Sequence, residues 1–170
     1  MVTFEESNMV FSFENADIFW IEKSKRFNAI SGAKTCECVV YHNGKVVLIE
    51  AKNSSPQPGR DGNGNEQLAK FVNEIAEKFH DSLIYYHATH QKRQLPDMLP
   101  ANLQSAPLDE HDYVFYLIIK GHEKAWCVPV QDLLKVTMKK MLKLWGLKDI
   151  CVKVMNEKTA LSKGLISAIV

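Results

Sequence analysis

Cys36-Glu37-Cys38-Val39-Val40-Tyr41-His42-Asn43-Gly44-Lys45-Val46-Val47-Leu48-Ile49-Glu50-Ala51-Lys52 decides how the chain folds. Two runs rich in Val, Ile and Tyr, 35–41 and 45–52, flank an Asn-Gly pair. Asn-Gly between such runs signals a two-residue hairpin, because a type I′ turn needs two residues that tolerate positive φ. His42 then faces Lys45, and every opposed pair sums to 87, which sets Val39 against Leu48 and Glu37 against Glu50. Counted outward from the turn, 37/50 is a close, non-hydrogen-bonded pair with Cβ atoms about 5 Å apart on one face. Lys52, two residues beyond Glu50, projects from the same face. Two carboxylates so placed repel each other. Either a shared proton or a hard divalent cation, Mg²⁺ or Mn²⁺, relieves them.

Outward from the hairpin, residues 8–13 read as a short strand, and residues 16–29 read as a helix after Asn15 and Asp17. A loop with two prolines and three glycines runs from Asn53 to Gly64. Next comes the clearest helix, with Leu68, Phe71, Val72, Ile75, Ala76, Phe79 and Leu83 on one stripe and a capping-box-like Asn63-x-x-Glu66 at its start. Residues 91–110 hold three prolines and read as a surface excursion. Residues 112–120 are apolar on both faces, as in a central strand. Val130–Trp145 reads as a second amphipathic helix with Leu133, Leu134, Met141, Leu142 and Trp145 inward; Ile150–Met155 reads as a strand, followed by a short helix. The order predicts one α/β domain over 1–170, with a mixed central sheet built on a β-hairpin core and flanked by helices.

Composition narrows the function classes. The 170 residues are 46% hydrophobic and 24% charged, which fits a globular domain rather than a disordered segment. No apolar run approaches the roughly 18 residues of a membrane helix. The opening Met1-Val2-Thr3-Phe4-Glu5-Glu6 is acidic and unlike a secretory signal, so a cytoplasmic location is expected. Cys36, Cys38, Cys127 and Cys151 include no C-x-x-C pair and are expected to be reduced packing residues. His87-x-x-His90 lacks a further ligand at matching spacing and reads as surface histidines. The net charge of +1 conceals a split: residues 1–119 carry 11 Lys/Arg against 16 Asp/Glu, and residues 120–170 carry 10 Lys against four acids. Such a chain can present an acidic, metal-capable region and a basic, phosphate-facing one.

Glu37, Glu50-x-Lys52 and the hairpin joining them resemble the PD-(D/E)xK, or restriction-endonuclease-like, nuclease superfamily over about residues 14–83. The resemblance implies that Glu37 and Glu50 bind Mg²⁺ or Mn²⁺ with the Ala51 carbonyl as a third ligand, and that Lys52 is the catalytic lysine at the attacking water. It implies a nuclease acting on DNA, with no membrane partner, and restriction-type members often form homodimers. Many members place an acid on a helix ahead of the sheet, for which Glu22 is the candidate and Glu14 the next. An ion pair of Glu22 with Arg26 is the structural alternative. One exonuclease branch carries Q-x-x-x-Y on the following helix, which Gln67-x-x-x-Phe71 matches in part. Two departures, Glu rather than Asp at 37 and Cys36 in place of proline, leave a second reading open: an inactive nuclease-like module for nucleic-acid binding or protein assembly.

Beside the site, Ser54, Ser55 and Arg60 occupy the loop entering the long helix, where free N–H groups favour an anion. Lys135, Lys139 and Lys143 recur at four-residue spacing and form a basic face suited to a nucleic-acid backbone.

Overall fold

The computed structural model describes residues 1–57, 64–109 and 112–170. Asn43 and Gly44 take φ of 50° and 74°, the positive pair a type I′ turn requires. They join β4 (Cys38–His42) to β5 (Lys45–Lys52) in the predicted register, with Val39 opposite Leu48 and His42 opposite Lys45. β3 (Ile18–Phe19) adds antiparallel to β4. On the other side β6 (Tyr113–Ile119) and β7 (Val152–Asn156) add in parallel, giving a mixed sheet in the order β3-β4-β5-β6-β7.

Parallel neighbours need crossovers, and two long helices supply them: α2 (Gly64–His90) between β5 and β6, and α4 (Lys124–Leu144) between β6 and β7. Both cover one face of the sheet. Val72, Ile75, Phe79 and Leu83 of α2 and Val130, Leu134 and Met138 of α4 pack there on Val39, Leu48, Phe115 and Leu117. Phe79 meets Phe115 edge-on at 5.4 Å between ring centres. The opposite face, with Val40, Val47, Ile49 and Ile118, lies under a small sheet of β1 (Val2–Glu6), β2 (Met9–Phe13) and β8 (Ala168–Ile169), together with α5 (Glu157–Ser162). Burial on both faces explains why β5 and β6 read as continuous apolar runs. The molecule is one α/β domain with a mixed five-stranded sheet.

Four expectations are corrected. Residues 16–29 are not one helix: β3 is followed by a 3₁₀ turn, Ile21–Lys23, and the four-residue α1 (Lys25–Asn28). Pairing to the β4 edge, extended by the Tyr41 N–H donating to the Asp17 carbonyl at 2.8 Å, outweighs local helix preference. Ser24 caps α1 instead, its hydroxyl accepting from the Phe27 N–H. The second long helix starts at Lys124 rather than Val130, with Pro129 inside it. The strand at 8–13 belongs to a hairpin whose partner β1 lacks a glycine signal, because Ser7 and Asn8 supply both positive φ values. The excursion contains α3 (Ala101–Ser105), whose Leu103 is buried in the helix-side core. Asn63, the predicted cap, lies outside the described residues.

Candidate metal centre

Alternation along β5 sends Val46 and Leu48 into the helix-side core and Val47, Ile49 and Ala51 into the opposite one. Glu50 continues the helix-side row at the strand's C-terminal end, and it is wholly buried. A buried carboxylate needs partners. Lys78 of α2 donates to Glu50 Oε1 at 2.6 Å, and Lys52 Nζ lies 2.8 Å from the same oxygen. The other oxygen, Oε2, is buried and has no hydrogen-bond partner among the described residues. Burial raises the Glu50 pKa, and the Lys78 and Lys52 charges oppose that rise. At Lys78 burial pulls the pKa down, but the Glu50 carboxylate outweighs it and the net shift is upward.

Glu37 departs from the hairpin geometry. The ladder ends at Cys38 opposite Ile49, and the Glu37 N–H donates to the Ile49 carbonyl at 2.9 Å. A continued ladder would keep Cys36 and Cys38 on one face. Instead Cys36 lies in the helix-side core and Cys38 in the opposite one. On α2, Ser82 Oγ accepts from the Cys36 N–H at 2.9 Å, which holds that residue on the helix side. The expected face-to-face pair at 37 and 50 is therefore corrected.

Freed from the ladder, Glu37 meets two other acids. One carboxylate oxygen from each of Glu6, Glu22 and Glu37 lies within 4.8 Å of the others. Glu6 closes β1, and its Oε1 accepts from the Ser7 N–H at 3.0 Å and the Ser7 hydroxyl at 3.2 Å. Glu22 lies in the 3₁₀ turn, whose backbone joins Glu37 through the Glu22 N–H and the Glu37 carbonyl at 3.4 Å. Glu37 is 4% exposed. Burial first, then the charges of Glu50, Glu22 and Glu6, push its pKa up to about 9. Two adjoining groups result: Glu50 with Lys52 and Lys78, and Glu37 with Glu22 and Glu6.

This donor set fits a hard divalent cation, which takes oxygen ligands. Three close carboxylates form no ion pair among the described residues, and a fourth offers a buried oxygen without a hydrogen-bond partner among them.

The other predicted residues are distributed differently. Ala51 pairs with Ile118, its methyl in the core away from the helices. Gln67 is exposed on α2, eleven residues before Lys78, or about 16 Å of helix rise. Glu14 lies 3.8 Å from the N-terminal amine, and Arg26 Nε donates to Gln94 rather than pairing with Glu22. Ser54 is exposed, whereas Ser55 Oγ bonds His122 Nε2 at 2.7 Å. Arg60 lies outside the described residues. Lys135, Lys139 and Lys143 do share one face, lining a shallow pocket with Leu147 and Asp149. The groove between α4 and α2 is lined by other residues, Met138 and Met141 of α4 facing Asn73 and Ala76. The lysine row thus lies across α4 from α2 and the acids. His87 and His90 are half-buried rather than surface residues: His87 stacks on Trp145 at 4.6 Å, and burial lowers its pKa to about 4. All four cysteines are free thiols.

Sequence reasoning passed over Lys78 and Glu6. Lys78 had a signal, standing three residues after Ile75 and four before buried Ser82 on the helix's inward face. Glu6 continues the Val2, Phe4 alternation of a strand the sequence did not reveal. No protein-family model, curated protein or solved structure matches this chain.

Proposed function

We propose that the chain is a metal-dependent nuclease that hydrolyses phosphodiester bonds in DNA, with a restriction-endonuclease-like arrangement around β4 and β5. The observation that carries this reading is Oε2 of Glu50, buried without a partner among the described residues, together with the Glu6–Glu22–Glu37 cluster, whose Glu37 feels the Glu50 charge. Isolated, that oxygen is an unmet desolvation cost of about 1–3 kcal/mol or more. As a metal ligand it is satisfied.

Glu37, Glu50, Glu22 and Glu6 would hold Mg²⁺ or Mn²⁺. When bound, such an ion polarises a phosphate and lowers the pKa of a water. The rest falls to the chain's own side chains. Lys78 and Lys52 grip Oε1 and fix the Glu50 carboxylate so that Oε2 keeps one orientation. Lys52, 29% exposed against 17% for Lys78, is the lysine open to a substrate. Its ammonium orients the attacking water and offsets charge gathering on the phosphoryl oxygens.

Cleavage of plasmid and single-stranded DNA with Mg²⁺ tests the reading. Glu50→Gln and Lys52→Ala should each lower the rate by about 10²-fold or more while the folded signal in circular dichroism is retained. Wild-type rates in both variants would remove the assignment.

The grip of two ammonium groups on Glu50 Oε1 also favours a second reading. A carboxylate balanced in this way suits a nuclease-like fold retained for binding or assembly. Calorimetry separates the two, since the second predicts no Mn²⁺ heat that depends on Glu37 and Glu50.

A further inference from the structure

Glu22 belongs to the acidic cluster, and the next residues of the same turn line a cleft of about 810 Å³. Lys23, Lys25 and Arg26 line it with Ala29, Ile30, Gln94, Pro96 and Asp97 among the others. All three cations are exposed, and none is ion-paired with a carboxylate among the described residues. Lys23 Nζ lies 5.1 Å from the centre of the Trp20 ring, and Arg26 Nε is held by Gln94 Oε1 at 3.2 Å. Both contacts limit where these side chains point. The single acid in its lining is hydrogen-bonded locally: Asp97 Oδ2 accepts from the Tyr85 hydroxyl at 2.8 Å and from Ser24.

We infer that this cleft binds the nucleic-acid backbone flanking the scissile phosphate, with Lys23, Lys25 and Arg26 as its phosphate contacts. This rests on the nuclease reading for what happens at the acids, but not for the binding itself. Lysines and arginines free of acid partners displace the cations condensed on a polyanionic backbone, and this release supplies most of the non-specific affinity. Chain connectivity also joins cleft to cluster, because Glu22 and Lys23 are consecutive in one 3₁₀ turn. A strand whose reacting phosphate sat at the acids would pass these cations first. The Lys135, Lys139 and Lys143 row, across α4, offers no such continuity.

Fluorescence anisotropy of a labelled single-stranded 20-mer and its duplex, in EDTA over stepped salt, isolates binding from cleavage. Lys23→Glu/Lys25→Glu should weaken binding roughly tenfold or more at 0.1 M salt and reduce the slope of log K against log salt by about two. Lys23→Gln/Lys25→Gln serves if the charge-reversed chain does not fold, with a smaller loss in the same direction. Reversing Lys135, Lys139 and Lys143 together should change affinity less than about twofold. The inference is overturned if the cleft variants bind as wild type, if the Lys135 row carries the loss, or if polyglutamate competes as well as the oligonucleotide. The two proposals fail separately. Binding that depends on the cleft, without metal-dependent cutting, removes the nuclease and keeps the cleft; cutting unchanged in KM and kcat by the cleft variants does the reverse.

Discussion

Replacing Glu37 by Gln tests the electrostatics of the acidic cluster without DNA. An ordinary glutamate titrates near 4.5, and burial beside Glu50, Glu22 and Glu6 raises Glu37 to about 9. Between those values the folded chain keeps a proton that the unfolded chain gives up. Stability from this group is therefore full below about pH 4.5 and falls by roughly 1.4 kcal/mol per pH unit until about pH 9. Glutamine has nearly the same shape and no such linkage. The advantage of Glu37→Gln over wild type should accordingly grow by about 3 kcal/mol from pH 5.5 to pH 7.5, a gap of about 6–12 °C in Tm for a chain of this length. Urea denaturation in EDTA at the two pH values measures it. Mn²⁺ should close the gap at pH 7.5 by stabilising wild type alone, since the ion takes the place of the proton. Parallel pH dependence of the two proteins would refute the raised Glu37 and the cluster geometry behind it.

Two further outcomes can be checked on the metal-free protein. Lys78→Met removes one ammonium from a fully buried carboxylate and should cost about 2–3 kcal/mol, below the usual range for a broken buried pair because Lys52 still holds Oε1; a double-mutant cycle with Glu50→Gln should recover part of the loss. Gly44→Val sets a β-branched residue at φ of +74° and should destabilise by about 1–2 kcal/mol in denaturant unfolding, while a neutral result would mean the turn relaxes to another type.

What the sequence displayed and what it hid follow from the range of the forces involved. The 43–44 turn is local, since two residues able to take positive φ suffice, and it fixed the pairing of 38 with 49 and of 39 with 48. The α2 stripe was equally plain, because its period arises from burial of one helix face. Residues 18–28 were misjudged because β3 exists only by hydrogen bonding to β4, a partner twenty residues away. β1 was invisible for a related reason: Ser7-Asn8 forms its turn without the glycine that marks one. The site was half legible. Glu50 and Lys52 share a face by strand geometry alone, but Lys78 and Glu6 reach it only through the packing of α2 and of the second sheet. The place of Glu37 depends on contacts that no pattern announces: the Ser82 hydroxyl accepting from the Cys36 N–H, the Ile49 carbonyl accepting from the Glu37 N–H, and the Glu37 carbonyl accepting from the Glu22 N–H.

The break in the ladder at Glu37 gives the centre its charge distribution. Had the ladder run on through 37 and 50, both carboxylates would face the helices, with Lys52 and Lys78 between them, and the pair would balance into two ordinary buried ion pairs. The break turns Glu37 toward Glu22 and Glu6, while the Lys78 charge still acts on it. Four carboxylates then face two ammonium groups. Fully ionised, the ensemble carries two excess negative charges, concentrated on the side away from Oε1. A proton on Glu37 removes one of them, which adds to burial, the larger cause of its raised pKa. A single divalent cation would remove both, and would use the Glu50 oxygen that no side chain serves among the described residues. Ser82→Ala is thus the most indirect way to disturb the site. It removes no charge, yet by freeing Cys36 it lets the strand slip back toward regular pairing, and Mn²⁺ heat in calorimetry should fall although every acid is still present. Unchanged Mn²⁺ binding in that variant would show that the break at Glu37 is held by something other than α2.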